Sequence, residues 1–191
     1  MIAKYLYKTK KLISIMHPSS YTRPMIKAIQ DKNQKDLVGL EIGVDEGLNT
    51  LNILKNLNIK KLYLIDPYLP VEYNSGLKFD WSKHKRTAIR RLAEYEDKIK
   101  FIFKSDIDAV DDVPNDLDFV YVDGNHDYKY VKRDIELYYS KVKVGGIFGG
   151  HDFSTSSLGC CRAVIEFTKK EKLKLYGKEW DWWVIKNDRR L

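Results

Sequence analysis

Two short runs concentrate the side chains able to do acid–base or metal chemistry. One is Asp123-Gly124-Asn125-His126-Asp127-Tyr128, and the other is Gly149-Gly150-His151-Asp152-Phe153. Each follows an apolar, strand-like stretch, so carboxylates and imidazoles leave neighbouring strand ends. Asp123, His151 and Asp152 offer the oxygen and nitrogen donors that suit a divalent ion. His126 lies three residues beyond Asp123, at the start of a helix, and can face the same space. A lone histidine there would more often cap a helix. Two histidines and two aspartates at successive strand ends favour chemistry.

Three earlier turns supply polar groups of a different kind. The first is Glu41-Ile42-Gly43-Val44-Asp45-Glu46-Gly47. Its glycines let backbone approach a ligand closely. Their Gly-x-x-x-Gly spacing is not the Gly-x-Gly-x-x-Gly that cradles a pyrophosphate. Acids at 41, 45 and 46 would repel a diphosphate and suit a ligand with a cationic part. Asp66 can accept two hydrogen bonds from a ribose diol, or it can cap the turn before Pro67. Lys104-Ser105-Asp106 offers a side chain or backbone to an adenine amino group.

These turns are spaced by an alternation of strands and helices. Leu37–Ile42, Lys61–Ile65, Ile99–Phe103, Asp118–Val122 and Ile147–Gly149 read as strands, the last preceded by Gly145-Gly146. Leu48–Leu57, Trp81–Glu94, Asp127–Tyr139 and Arg162–Lys170 read as helices, with two closing strands at Leu173–Tyr176 and Asp181–Lys186. Such an alternation predicts a doubly wound parallel sheet, with ligands at the carboxyl ends of its strands. The near-continuous apolar run before Asp123 suits a strand covered on both faces. The irregular stretch 69–81, with Tyr73, Phe79 and Trp81, has the length of a lid. The small polar residues 153–159 would form the opposite wall.

Composition narrows the setting. The 191 residues are 43% hydrophobic and 32% charged, which excludes disorder and a disulfide scaffold. No apolar run approaches the roughly 18 residues of a membrane span, and the N-terminus lacks a signal-peptide pattern. The adjacent Cys160 and Cys161 read as small buried side chains at a helix start, consistent with a reducing cytoplasm. All of the formal net charge of +7 lies in residues 1–35; the remainder sums to zero. Two short helical pieces broken at His17-Pro18-Ser19-Ser20 make up this basic segment. It divides the chain into residues 1–35 and a domain over 36–191. Such a segment could meet an acidic substrate, nucleic acid, a membrane surface or a second copy of the chain.

Taken together, Glu41-x-Gly43-x-x-x-Gly47, Asp66, Ser105-Asp106, Asp123-Gly124-x-His126-x-Tyr128 and Gly145-Gly146-x-x-x-Gly150-His151-Asp152 resemble the class I S-adenosylmethionine-dependent methyltransferases. The resemblance covers about residues 36–186. It is narrowest for the small-molecule and sugar O-methyltransferases of the macrocin type. It implies a seven-stranded sheet in the order 3-2-1-4-5-7-6 with strand seven antiparallel. It implies S-adenosylmethionine as cofactor, with Glu41, Gly43 and Gly47 at its methionine part, Asp66 at the ribose and Ser105-Asp106 at the adenine. It also implies that Asp123 borders the cofactor. Asp123, His151 and Asp152 would hold Mg²⁺ or another divalent cation, and His126 would act as base with Asp123. The acceptor would be a small molecule, including acidic or glycan hydroxyls. RNA methylation and a non-catalytic cofactor-binding module are the alternatives. Gly124-Asn125-His126-Asp127 also matches a metallophosphoesterase signature, but the upstream Asp-x-His and Gly-Asp of that family are missing.

Overall fold

In the computed structural model, which describes residues 21–69 and 80–187, the expected alternation forms one seven-stranded sheet. The strands are β1 (Leu37–Ile42), β2 (Ile59–Ile65), β3 (Ile99–Ile102), β4 (Leu117–Val122), β5 (Val142–Gly150), β6 (Tyr176–Lys178) and β7 (Asp181–Ile185). Their spatial order is 3-2-1-4-5-7-6. The first five run parallel, while β7 is antiparallel to both β5 and β6. The helices are α1 (Pro24–Gln30), α2 (Leu48–Asn56), α3 (Trp81–Arg91), α4 (Tyr128–Tyr138) and α5 (Leu158–Lys170).

Period-two alternation within the central strands builds two cores. In β4, Val120 and Val122 point to a face covered by Val131 and Ile135 of α4 and Ala163 and Val164 of α5. Phe119 and Tyr121 point to the other face, beside Met25 and Ile26 of α1, Ile53 of α2 and Ala88 of α3. Both faces of β4 are therefore dry, as its apolar run predicts. Burial on this scale contributes about 25 cal/mol per Å² of apolar surface. It offsets the backbone entropy of ordering the turns above.

Some boundaries differ from the sequence expectation. β5 starts at Val142, not Ile147, so Gly145-Gly146 lie inside it. The β4–β5 register jumps between Leu117↔Val142 and Phe119↔Ile147. Gly145 absorbs this irregularity with φ +77°. α5 starts at Leu158, four residues before the expected start. β6 is Tyr176–Lys178, because antiparallel pairing with Asp181–Trp183 selects that span. Leu173 and Leu175 instead pack on the α4–α5 core.

The described residues just before β1 join the fold. α1 starts with Pro24, whose missing N–H costs nothing at a helix start. Met25, Ile26 and Ile29 are buried among α2 and the sheet. The helical piece expected before residue 17, and most of the 69–81 stretch, lie outside the described residues. Among the described residues, no helix is long and apolar enough to cross a membrane.

Candidate active site

The turn after β1 is built around a close crossing. Gly43 has φ +85°, and a Cβ there would stand 2.3 Å from the Asp123 carbonyl oxygen. Only glycine lets the β1 and β4 ends approach this closely. Gly43→Ala is expected to destabilise the protein by about 2 kcal/mol or more, from left-handed strain plus the clash. A urea titration checks this; an unchanged midpoint would show that the crossing yields easily.

Asp66 holds the same turn from the β2 side. Its Oδ2 accepts the N–H groups of Val44 (3.0 Å) and Asp45 (2.9 Å), and its Oδ1 accepts that of Tyr68 (2.8 Å). Three of about four carboxylate lone-pair positions are thus used. The turn-capping role weighed in the sequence is what the structure displays. Gly47 is the N-cap of α2, and no side chain caps the helix's first N–H groups. Those donors face the carboxyl end of the sheet and can receive a carboxylate.

The acids of the first turn, expected to suit a ligand with a cationic part, are each met by a neighbouring side chain. Glu41 is fully buried, accepting hydrogen bonds from Asn49 Nδ2 (2.8 Å) and Thr50 Oγ1. Burial pushes its pKa up to about 8, against the lowering effect of those two bonds, so it is largely neutral at pH 7. Asp45 is paired with His84 Nδ1, and Glu46 lies 3.7 Å from Arg91. Each of these acids has a local partner.

Asp106 is likewise engaged locally. Its carboxylate is taken by a two-pronged contact from Arg133, at 2.7 and 2.8 Å, and its carbonyl accepts from the Tyr138 hydroxyl. Ser105 Oγ donates to Asp108 (2.6 Å). A contact to adenine from this turn therefore falls to its backbone. Arg133 and Tyr138 both come from α4, which ties this turn to the helix that starts beside His126.

The ends of β4 and β5 do converge. Asp123 Oδ1 is 3.7 Å from His151 Nδ1, which is 3.4 Å from Asp152 Oδ1. His126 Nδ1 is 3.6 Å from Asp152 Oδ2. One ligand atom from each of Asp123, His151 and Asp152 fits within a 4.8 Å cluster. A cavity of about 10 Å³ adjoins it, lined by these three, His126, Cys160 and Trp182. That is room for one water-sized group. Trp182 Nε1 is buried without a hydrogen-bond partner among the described residues. Burial opposes the charged form of His151, but the Asp152 hydrogen bond and the Asp123 charge outweigh it and raise its pKa. Asp152 is held below the usual carboxylate range: His151 overcomes the effect of burial. Two carboxylate oxygens and one imidazole nitrogen around a water-sized space suit a divalent cation. His126 is the exposed member, its side chain 49% accessible.

Sequence reasoning missed Arg23. Its Nη1 donates to Asp123 Oδ2 at 2.8 Å and to the Tyr121 hydroxyl at 3.0 Å. No spacing signal links positions 23 and 123; in the sequence Arg23 is only one charge of a basic segment. Cys160 was read as a small buried residue, and it is buried, with its Sγ donating to the His151 carbonyl. Burial pushes that thiol up to about 12, so it is not a nucleophile here.

A parallel five-stranded sheet extended by an antiparallel β7 between β5 and β6 is the class I methyltransferase fold. Residues 40–153 match the sequence model of a family described as "Methyltransferase domain", and the chain belongs to that family. Solved structures share the fold. The O-methyltransferase NovP superposes with a TM-score of 0.62 at 20% identity, over 86% of this chain and 80% of its own. The MycE methyltransferase of mycinamycin biosynthesis, in complex with Mg and SAH, gives 0.57 at 17% identity, over 86% of this chain and 48% of its own. An uncharacterized protein, R132, of Acanthamoeba polyphaga mimivirus is 31% identical over 121 residues, or 62% of this chain. The chain spans about half the length of that curated relative, 52%.

Proposed function

We propose that the protein transfers a methyl group from S-adenosylmethionine to a hydroxyl of a small molecule, assisted by a divalent cation. One observation carries this reading: Asp123, His126, His151 and Asp152 meet at the carboxyl ends of β4 and β5, beside the Gly43 turn. The Mg and SAH bound by MycE support it. The cofactor's place is the uncapped start of α2 and the turn pinned by Asp66, whose remaining lone pair can accept a ribose hydroxyl. The backbone after β3 takes the adenine end.

S-adenosylmethionine, when bound, supplies an electrophilic methyl on a cationic sulfur. A divalent cation on Asp123, His151 and Asp152 would lower the pKa of a nearby hydroxyl. The protein's own tasks are alignment and proton removal. His126 takes the acceptor proton at Nε2, while Asp152 Oδ2 stands 3.6 Å from its Nδ1 and orients the ring. The positive surplus in residues 1–35 favours an anionic acceptor such as an acidic glycan.

Calorimetry with S-adenosylhomocysteine, the demethylated product, tests the cofactor assignment. The wild type is expected to bind, and Asp66→Ala to weaken binding by roughly 1–3 kcal/mol. Labelled methyl transfer to a panel of glycans, nucleotide sugars and phenols then tests the reaction. His126→Gln should lower kcat by about 10²–10⁴-fold. Absence of product binding in the wild type would refute the proposal.

A further inference from the structure

The contacts behind Asp123 form a chain across the sheet. Arg23 Nη1 donates to Asp123 Oδ2 (2.8 Å) and to the Tyr121 hydroxyl oxygen (3.0 Å). The Tyr121 hydroxyl donates to Asp181 Oδ1 at 2.8 Å. Asp181 Oδ2 accepts the Met25 N–H at 3.0 Å. Tyr121 and Asp181 are almost wholly buried, at 0% and 1% exposure. The guanidinium just before α1 is thereby held against β4, and through Tyr121 against β7. With Oδ2 committed to Arg23, Oδ1 is the Asp123 oxygen that faces His151.

We propose that Arg23 is a positioning residue, braced by Tyr121 and Asp181, which presents Asp123 through Oδ1 alone to a divalent cation shared with His151 and Asp152. The inference rests on the cation reading above. Its physical basis is the softness of a carboxylate's terminal torsion, which is broad and roughly two-fold. A carboxylate with one oxygen fixed has already lost that freedom before a cation arrives. Hydrogen bonds to ligating carboxylates are typically worth 10–100-fold in metal affinity. The charge of Arg23 acts in the opposite sense, since a guanidinium repels a nearby cation. Variants that keep the charge therefore isolate geometry.

Arg23→Lys keeps the charge but loses the rigid planar donor array. Tyr121→Phe keeps every charge and removes only the brace. Mn²⁺ binding to the full chain is read by loss of the free-ion electron paramagnetic resonance signal, with S-adenosylhomocysteine affinity measured in parallel. Both variants are expected to bind Mn²⁺ about ten-fold more weakly, with product affinity within about two-fold of wild type. Asp152→Asn, which removes a ligand and touches neither Arg23 nor Tyr121, should lose Mn²⁺ binding. Wild-type Mn²⁺ affinity in both charge-conserving variants, beside loss in Asp152→Asn, overturns the positioning role and leaves the cation reading standing. No Mn²⁺ binding by the wild type overturns both. Parallel loss of Mn²⁺ and product affinity shows general distortion and also overturns the role. If Arg23→Lys does not fold, Tyr121→Phe decides alone.

Discussion

Asp152→Asn is expected to lower kcat by about 10²–10⁴-fold while leaving product affinity nearly unchanged. The side chain stands between two histidines, 3.4 Å from His151 and 3.6 Å from His126. It is also one of the three groups that cluster for a cation. Losing its charge removes a ligand of the proposed cation and the partner that orients the proposed base. Each of those effects is worth several kcal/mol in a transition state, and about 1.4 kcal/mol is a factor of ten. The fold should tolerate the change: residue 152 has φ +64°, and asparagine adopts the left-handed region about as readily as aspartate. Steady-state kinetics with the acceptor found by the labelled screen give the answer. Exhaustive chelation of the wild type should produce a comparable loss. Full activity after chelation would eliminate the cation while leaving the histidine–aspartate pairing to be judged from the variant.

The second large effect is on stability against pH. Glu41 is fully buried, and burial sets its folded pKa at about 8, against an ordinary value of 4.5. An acid with a raised folded pKa favours the folded state fully below its unfolded pKa. That contribution is lost as pH rises to the folded value. Between about pH 4.5 and 8 the folded protein holds a proton that the unfolded chain has released. Unfolding free energy should therefore fall with a slope approaching about 1.4 kcal/mol per pH unit from this residue. Glu41→Gln removes the proton and keeps the shape, with an amide that can still meet Asn49 and Thr50. Urea titrations at pH 5, 6, 7 and 8 should show wild-type stability declining more steeply than that of the variant. His151, also raised, adds the same sign of slope to both proteins, so the difference reports Glu41. Parallel curves would show that Glu41 is ionised in the folded state.

Much of the fold was legible because local pattern and global fold agree. Leu37–Ile42 and Leu117–Val122 are apolar on both faces, and a strand covered on both sides needs that composition. Asp123, His126, His151 and Asp152 were legible for a related reason. Each sits one to four residues past a recognisable strand, and parallel strands bring their carboxyl ends together. β6 was displaced because its span depends on what β7 offers for pairing, a non-local choice.

By itself, then, the sequence determined the order of the elements, the two-faced core and which polar residues stand at the strand ends. These follow from periodicity and connectivity, which act over a few residues. Only the tertiary structure decided which of those polar groups have been spent. It gave Asp106 to Arg133, Asp45 to His84 and Asp66 chiefly to the backbone of the turn after β1. It buried Glu41 until the neutral acid prevailed, and it brought Arg23 across 100 positions onto Asp123. Charge state and pairing depend on distance and desolvation between groups far apart in the chain. Neither quantity exists until the chain has folded.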